Sequence, residues 1–121
     1  MRVSYIELLG EQHPLCFSLA ASEELSEKFG SLEKMQKEMV SKDISKVAKA
    51  FDTILTILLK AGRIYVSATG GKLPAELPCR PADLIDVTDR EAVRSIFTVI
   101  SADTARTVET KTKNAGATQG E

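Results

Sequence analysis

Residues 44–61, ISKVAKAFDTILTILLKA, carry the clearest secondary-structure pattern in the chain. Their apolar side chains recur every three or four positions, which is the spacing of one face of an α-helix. This stripe comprises Ile44, Val47, Ala48, Phe51, Ile54, Leu55 and Leu58. The pattern predicts a central helix over residues 44 to 61. The stripe members expected to be buried are Phe51, Ile54, Leu55 and Leu58.

The second half of this helix has more apolar surface than the stripe alone. Ile57 and Leu59 lie beside the stripe and leave little polar face. A helix that is apolar nearly all round is either central in the fold or part of an interface. We therefore expect self-association and take Ile57 and Leu59 as candidate partner-binding residues. Gly62 can end the helix, although residues 64–66 allow one or two more turns.

Toward the N-terminus, residues 3–19 are typical of a β-hairpin. Two apolar runs, VSYIELL and LCFSL, flank the sequence GEQHP, whose glycine and proline favour a turn. In the second run Leu15, Phe17 and Leu19 alternate with small residues, so the large side chains share one face. A two-stranded hairpin is marginally stable by itself. It must therefore pack on a helix, gain a strand or pair with another subunit.

The hairpin also contains the single histidine, His13, and one of the two cysteines, Cys16. A His-x-x-Cys pair can supply two metal ligands, but zinc needs four, or three and a water molecule. Positions i and i+3 of a strand also point to opposite faces. The other thiol is Cys79. A Cys-His nucleophile would need an orienting partner and an oxyanion hole, which the sequence does not specify. We expect no catalytic residue, metal or cofactor, and interpret His13 as a turn residue.

Two short helices are expected between the hairpin and the central helix. Ser22 and Ser31 are suitable N-caps, and Gly30 can end the first helix in a left-handed turn. In the second helix, Met35 and Met39 lie on one face. Methionines at this spacing usually fill a core, but they can also form an adaptable binding surface. We therefore keep Met35 and Met39 as further candidate partner-binding residues.

The region after the central helix begins with a loop rich in glycine and proline, residues 67–81. Its Gly-Gly-Lys sequence is followed by Leu-Pro, so it does not match a P-loop. Pro81 can start a short helical turn. Residues 88–91, TDRE, have the form of a capping box and predict a fourth helix. The apolar face of that helix comprises Val93, Ile96, Phe97 and Ile100.

The last eighteen residues, 104–121, contain a single large hydrophobe and are typical of an extended or disordered tail. The sequence thus predicts one domain over residues 1–103, followed by a C-terminal arm. The fold class is α+β, with the hairpin packed on a bundle of about four helices.

Composition excludes several classes of function. Sixteen basic and seventeen acidic residues give a net charge of −1, whereas nucleic-acid binders are usually basic. No stretch has the roughly 18 uninterrupted apolar residues of a membrane span, and the N-terminus does not match a signal peptide. We expect a cytoplasmic protein that binds neither nucleic acid nor membrane.

Four stretches give the chain a resemblance to a known family: VSYIELLGEQHPLCFSLAASEEL, FGSLEKM, FDTILTILLKAGRIY and TVETKTKNAGATQGE. Together they resemble the tail assembly chaperones of tailed phages and prophages of Gram-positive bacteria. These small proteins are encoded just before the tape-measure protein, and a longer form is often made by ribosomal frameshifting.

The resemblance implies a non-enzymatic protein that binds the tape-measure protein, keeps it soluble and helps to recruit tail-tube subunits. Such a protein would act in the bacterial host cytoplasm and be absent from the mature virion. The alternative is a small oligomeric adaptor or regulatory protein-binding module. An enzyme that uses Cys16 and His13 is a third hypothesis.

Overall fold

The computed structural model describes residues 3–86, 88, 89 and 91–100. The strands are β1 (Val3–Leu8) and β2 (Glu11–Cys16), and the helices are α1 (Leu19–Phe29), α2 (Leu32–Met39), α3 (Ile44–Ala68) and α4 (residues 91–100). A short 3₁₀-helix, Pro81–Asp83, lies between α3 and α4. The expected α+β fold, a hairpin packed on four helices, is confirmed. The C-terminal arm predicted at residues 104–121 lies outside the described residues.

The hairpin turns at Leu9-Gly10, and the five-residue loop expected from the sequence is wrong. Leu9 and Gly10 have φ angles of 54° and 78°. Positive φ at both positions is typical of a type I′ turn, whose twist matches that of two paired strands. Residues 11–14 are therefore part of β2, and His13 is a strand residue opposite Ile6. The interpretation of His13 as a turn residue is also wrong.

Proline occurs in β2 at a position that tolerates it. The residues next to a two-residue turn form a hydrogen-bonded pair, and the pair types then alternate along the hairpin. Leu8 pairs with Glu11 beside the turn, so the Tyr5–Pro14 pair is of the type without hydrogen bonds. The missing N–H of Pro14 therefore costs no ladder bond. The outward carbonyl of Tyr5 accepts a hydrogen bond from Ser95 Oγ of α4 at 3.1 Å.

Both faces of β2 are covered at its end. On one face lie His13 and Leu15, and on the other lie Pro14 and Cys16; all four are buried. β2 ends at Cys16, so the prediction that Leu19 shares a strand face with Leu15 and Phe17 is wrong. Leu19 is instead the first residue of α1 and is 87% exposed.

The short helices begin and end at identifiable caps. Ser18, not Ser22, is the N-cap of α1, and its hydroxyl accepts a hydrogen bond from the N–H of Ala21 at 3.1 Å. Gly30 ends α1 with a φ of 90°, as expected for a left-handed cap. Ser31 caps α2 by accepting a hydrogen bond from the N–H of Lys34 at 3.1 Å. The last two features match the sequence prediction.

The predicted central helix is confirmed and is longer than expected. Ile54, Leu55 and Leu58 are fully buried, whereas Phe51 is half-buried at the edge of the core. The helix continues past Gly62 and ends at Ala68. Gly62 therefore does not end α3. It matters instead for how the helix packs on the hairpin.

At Gly62 the backbones of α3 and β2 come into close contact. A Cβ atom at this position would overlap the carbonyl oxygen of Pro14 and would lie 3.0 Å from the backbone nitrogen of Leu15. Backbone atoms cannot move aside as the end of a flexible side chain can. Only glycine permits this separation, so Gly62 sets how closely the hairpin approaches α3.

Truncation of the core at Leu55 is expected to be costly. Leu55→Ala should lower the free energy of unfolding by about 2–5 kcal/mol, because it removes buried contacts and leaves a cavity. Ile64→Ala is the matched control on the same helix, since Ile64 is 63% exposed. Urea denaturation of both variants measures the difference. An equal, small effect at the two positions would contradict the burial of Leu55.

Replacing Gly62 by alanine tests the contact between α3 and the hairpin, because the contact decides whether stability rises or falls. In an unpacked helix, Gly→Ala increases stability by about 1 kcal/mol. At position 62 the added methyl group meets the Pro14 backbone, so Gly62→Ala should instead reduce stability by about 1–3 kcal/mol. The control is exposed Ser67 near the end of α3, where Ser67→Ala should be more stable than Ser67→Gly. A Gly62→Ala protein more stable than the parent would refute the close contact.

Candidate functional site

The four residues predicted to bind a partner all lie in the core. Met35 is fully buried, and Met39, Ile57 and Leu59 retain only 5%, 4% and 7% exposure. As candidate partner-binding residues Ile57 and Leu59 would have to be exposed, but they are covered, because α3 packs on β2 as well as on the other helices. The extra apolar surface of α3 is thus covered within the chain. A partner-binding surface has to be sought elsewhere.

Large apolar side chains are exposed where α2 leads into α3. Val40, the C-cap of α2, is 74% exposed, and Ile44, the first residue of α3, is 59% exposed. Single exposed apolar residues are ordinary on protein surfaces. Ile44, however, also lines a groove, so its exposure continues into a concave apolar surface.

The groove lies between the first half of α3 and the segment that contains the 3₁₀-helix and the start of α4. Its volume is about 150 Å³. The apolar residues that line it include Ile44, Val47, Phe51, Ile85, Ala92 and Val93. We call this surface the α3 groove. Four of its residues, Ile44, Val47, Ala48 and Phe51, belong to the stripe that identified α3. Periodicity alone does not indicate that this half of the stripe stays partly uncovered.

One wall of the groove is attached to α3 through Asp52. This carboxylate accepts a hydrogen bond from the backbone N–H of Ala82 at 3.1 Å. Arg80 lies 3.8 Å from Asp52 and 3.9 Å from Asp83, so it joins the helix and the 3₁₀-turn. The surface ion pairs contribute little by themselves. Together with the Ala82 bond, they hold the wall in position beside α3.

Two carboxylates lie at the rim of the groove. Asp86 accepts hydrogen bonds from the backbone N–H and the hydroxyl of Thr88, at 2.9 and 3.0 Å. Asp89 accepts hydrogen bonds from the backbone N–H groups of Glu91 and Ala92, at 3.0 and 3.1 Å. Asp89 is therefore the N-cap of α4. The capping box predicted with Thr88 as the cap is wrong, because the N–H of Glu91, which the Thr88 hydroxyl would have to accept, is bonded to Asp89 instead.

The bonds from Thr88 also alter the acidity of Asp86. The backbone N–H of Thr88 and then its hydroxyl lower the pKa of the Asp86 carboxyl below the ordinary value of 3.8. Asp86 is consequently ionised at neutral pH. The groove thus combines an apolar floor with negative charge along one rim, and it suits an apolar helix face that carries a basic residue beside it.

The residues considered for chemistry lie apart from the α3 groove. His13 and Cys16 are buried in β2, and Cys79 is exposed in the loop after α3. Within the described part of the chain, no three His, Cys, Asp or Glu side chains are grouped so as to hold a metal ion. Among the same residues, no helix has the length and apolar character needed to cross a membrane.

Comparison of the chain with protein-family models, with curated proteins and with solved structures gives no match.

The turn at the rim can be tested through the titration of Asp86. Thr88→Val removes the hydroxyl bond and keeps the backbone bond, which has the larger effect, so the pKa of Asp86 should rise only part of the way toward 3.8. Because the pKa of Asp86 is lower in the folded protein than its ordinary value of 3.8, the ionised carboxylate stabilises the turn at pH values above 3.8. This stabilisation is lost as the pH falls through the pKa that Asp86 has in the folded protein. Carboxyl ¹³C NMR measures the titration. Thr98→Val, in α4, is the control and should leave Asp86 unchanged.

Proposed function

We propose that this protein is a non-enzymatic tail assembly chaperone that binds and solubilises a tape-measure protein and assists tail-tube assembly. It acts in the cytoplasm of a bacterial host and is left out of the mature virion. The resemblance of the sequence to the tail assembly chaperones supports a tape-measure protein as the client. The α3 groove supports the mode of binding, since it offers a concave apolar surface.

The single observation that carries the proposal is the pairing of apolar floor and acidic rim. A long helical client has apolar residues three and four positions apart along one face. The groove between α3 and the wall at Ile85 and Val93 would take one apolar side chain of such a face. A lysine or arginine beside it would meet Asp86 and Asp89. We therefore expect the bound client segment to be an amphipathic helix with a basic residue next to its apolar face.

Self-association would let the protein cover a long client. Val40 and Ile44 form exposed apolar surface next to the groove, and neighbouring copies that are bound side by side could bury it. Many weak sites on one chain give tight overall binding, because each bound copy raises the effective concentration of the next.

Ile44→Glu tests the groove without disturbing the fold. A glutamate in the first turn of a helix interacts favourably with the helix dipole, so α3 should remain stable. The added charge lies at the mouth of the groove and repels an apolar client. We expect the parent protein to keep its co-expressed tape-measure neighbour in solution, and Ile44→Glu to lose most of this effect. Thermal denaturation checks that the variant is folded.

Ser45→Glu is the matched control, because it places the same charge on the next residue, outside the groove lining. It should solubilise the client as the parent does. Light scattering reports the oligomeric state of all three proteins. A strictly monomeric parent that leaves the neighbour insoluble would overturn the chaperone proposal and favour the adaptor. Equal loss in both variants would show that the groove is not the contact site.

A further inference from the structure

A second cavity lies around His13, on the other half of α3 from the groove. It has a volume of about 380 Å³ and is bounded by β2, by residues 56–64 of α3 and by the loop at residues 76–81. Pockets that hold small molecules begin at about 300 Å³. We call it the His13 cavity. It shares no lining residue with the α3 groove.

His13 gives this cavity a buried polar group. The residue is 3% exposed, and no other polar side chain among the described residues is buried. Within those residues, its imidazole makes no hydrogen bond. Buried polar groups nearly always have a partner, and each exception calls for an explanation. A ligand in the cavity that hydrogen-bonds to the imidazole supplies one.

The charged groups around the cavity favour a ligand with a single negative charge. Arg63 and Lys60 contribute two positive charges, and Glu76 contributes one negative charge. Lys60 Nζ is 2.8 Å from Glu24, so part of its charge is already matched. Arg63 uses one guanidinium nitrogen to donate to the carbonyl of Pro74 at 2.9 Å, which holds the side chain in place. The remaining donors of the guanidinium suit a planar carboxylate, whereas Glu76 opposes a dianion.

Most of the remaining lining is apolar. Leu59 and Ile64 of α3 and Leu77 of the loop border the cavity. A carboxylate alone would leave these side chains without contact. A carboxylate joined to a short hydrocarbon body satisfies both parts of the lining. At about 30 Å³ for each non-hydrogen atom, the value for water, the cavity has room for roughly twelve such atoms.

We propose that the His13 cavity binds a small apolar monocarboxylate, with the carboxylate at His13 and Arg63 and the hydrocarbon body against Leu59, Ile64 and Leu77. The source can be a free organic acid or the carboxylate end of a peptide, because the recognised group is the same. This site is independent of the proposed chaperone function, since neither its residues nor its ligand enters client binding.

Two residues of the cavity provide direct reporters. His13 is the single histidine of the chain, so its ring gives one assignable NMR signal. Cys79 lines the cavity and is exposed, whereas Cys16 is buried, so a thiol reagent reacts first at Cys79. A bound ligand should shift the imidazole signal and slow the alkylation of Cys79.

The experiment titrates the full chain with hexanoate, with N-acetyl-leucine as a mimic of a peptide's carboxylate end, with hexanamide and with inorganic phosphate. We expect a saturable shift of the His13 signal with at least one of the two carboxylates, at a dissociation constant on the order of 1 mM. The carboxylate that binds identifies the source. Hexanamide and phosphate should have at least about tenfold weaker effects, because the first lacks charge and the second has no hydrocarbon body to contact the apolar lining.

Arg63→Gln should weaken carboxylate binding by about tenfold or more, since it removes the charge-assisted bond. Lys60→Gln is a second variant that keeps the Arg63–Pro74 contact, and it should weaken binding less. Lys46→Gln, on the exposed surface of α3, is the control and should bind as the parent does. Absence of a saturable shift, equal binding of hexanamide or phosphate, or a folded Arg63→Gln protein with parental affinity would each overturn the proposal.

Discussion

The fold depends on the close contact between Gly62 of α3 and the Pro14–Leu15 backbone of β2. A hairpin of two strands has too little internal contact to be stable by itself, so its free energy comes from the surface it packs on. The absence of a side chain at position 62 lets the strand lie directly on the helix. Leu15 and Leu58 are fully buried in the resulting core. A larger separation at this point would expose apolar surface on both elements and would open the core at its centre.

The same contact decides which parts of α3 are available to other molecules. The hairpin covers the second half of the helix closely enough to bury Ile57 and Leu59. In the first half, Ile44 is exposed and Phe51 is only half-buried. The cavity around His13 forms where the strand, the helix and the following loop meet. A single packing arrangement therefore produces the apolar α3 groove at one end of α3 and the His13 cavity near the other.

Sequence periodicity was sufficient for α3, for the Gly30 and Ser31 caps, and for the arrangement of a hairpin on helices. It failed where several residues can play the same local role. Ser18 and Ser22 are both competent caps, as are Thr88 and Asp89, and tertiary packing selects between them. The turn was misplaced because Leu9 adopts a left-handed conformation, which is rare for leucine. The exposure of Ile44 and the burial of Ile57 follow from what packs on α3, and the helix's own periodicity contains no information on that point.

One segment connects the two candidate sites, and this determines how they can be separated by mutation. Asp52 binds the backbone at Ala82, and Arg63 binds the carbonyl of Pro74, so the loop after α3 is attached to the helix at two points. The wall of the α3 groove and the loop side of the His13 cavity are parts of this one segment. A substitution that detaches the loop would therefore alter both sites, so the effect of Arg63→Gln has to be compared with that of Lys60→Gln. Substitutions at Ile44 and Lys60 leave both attachments in place, which is why they separate the proposed client binding from the proposed carboxylate binding.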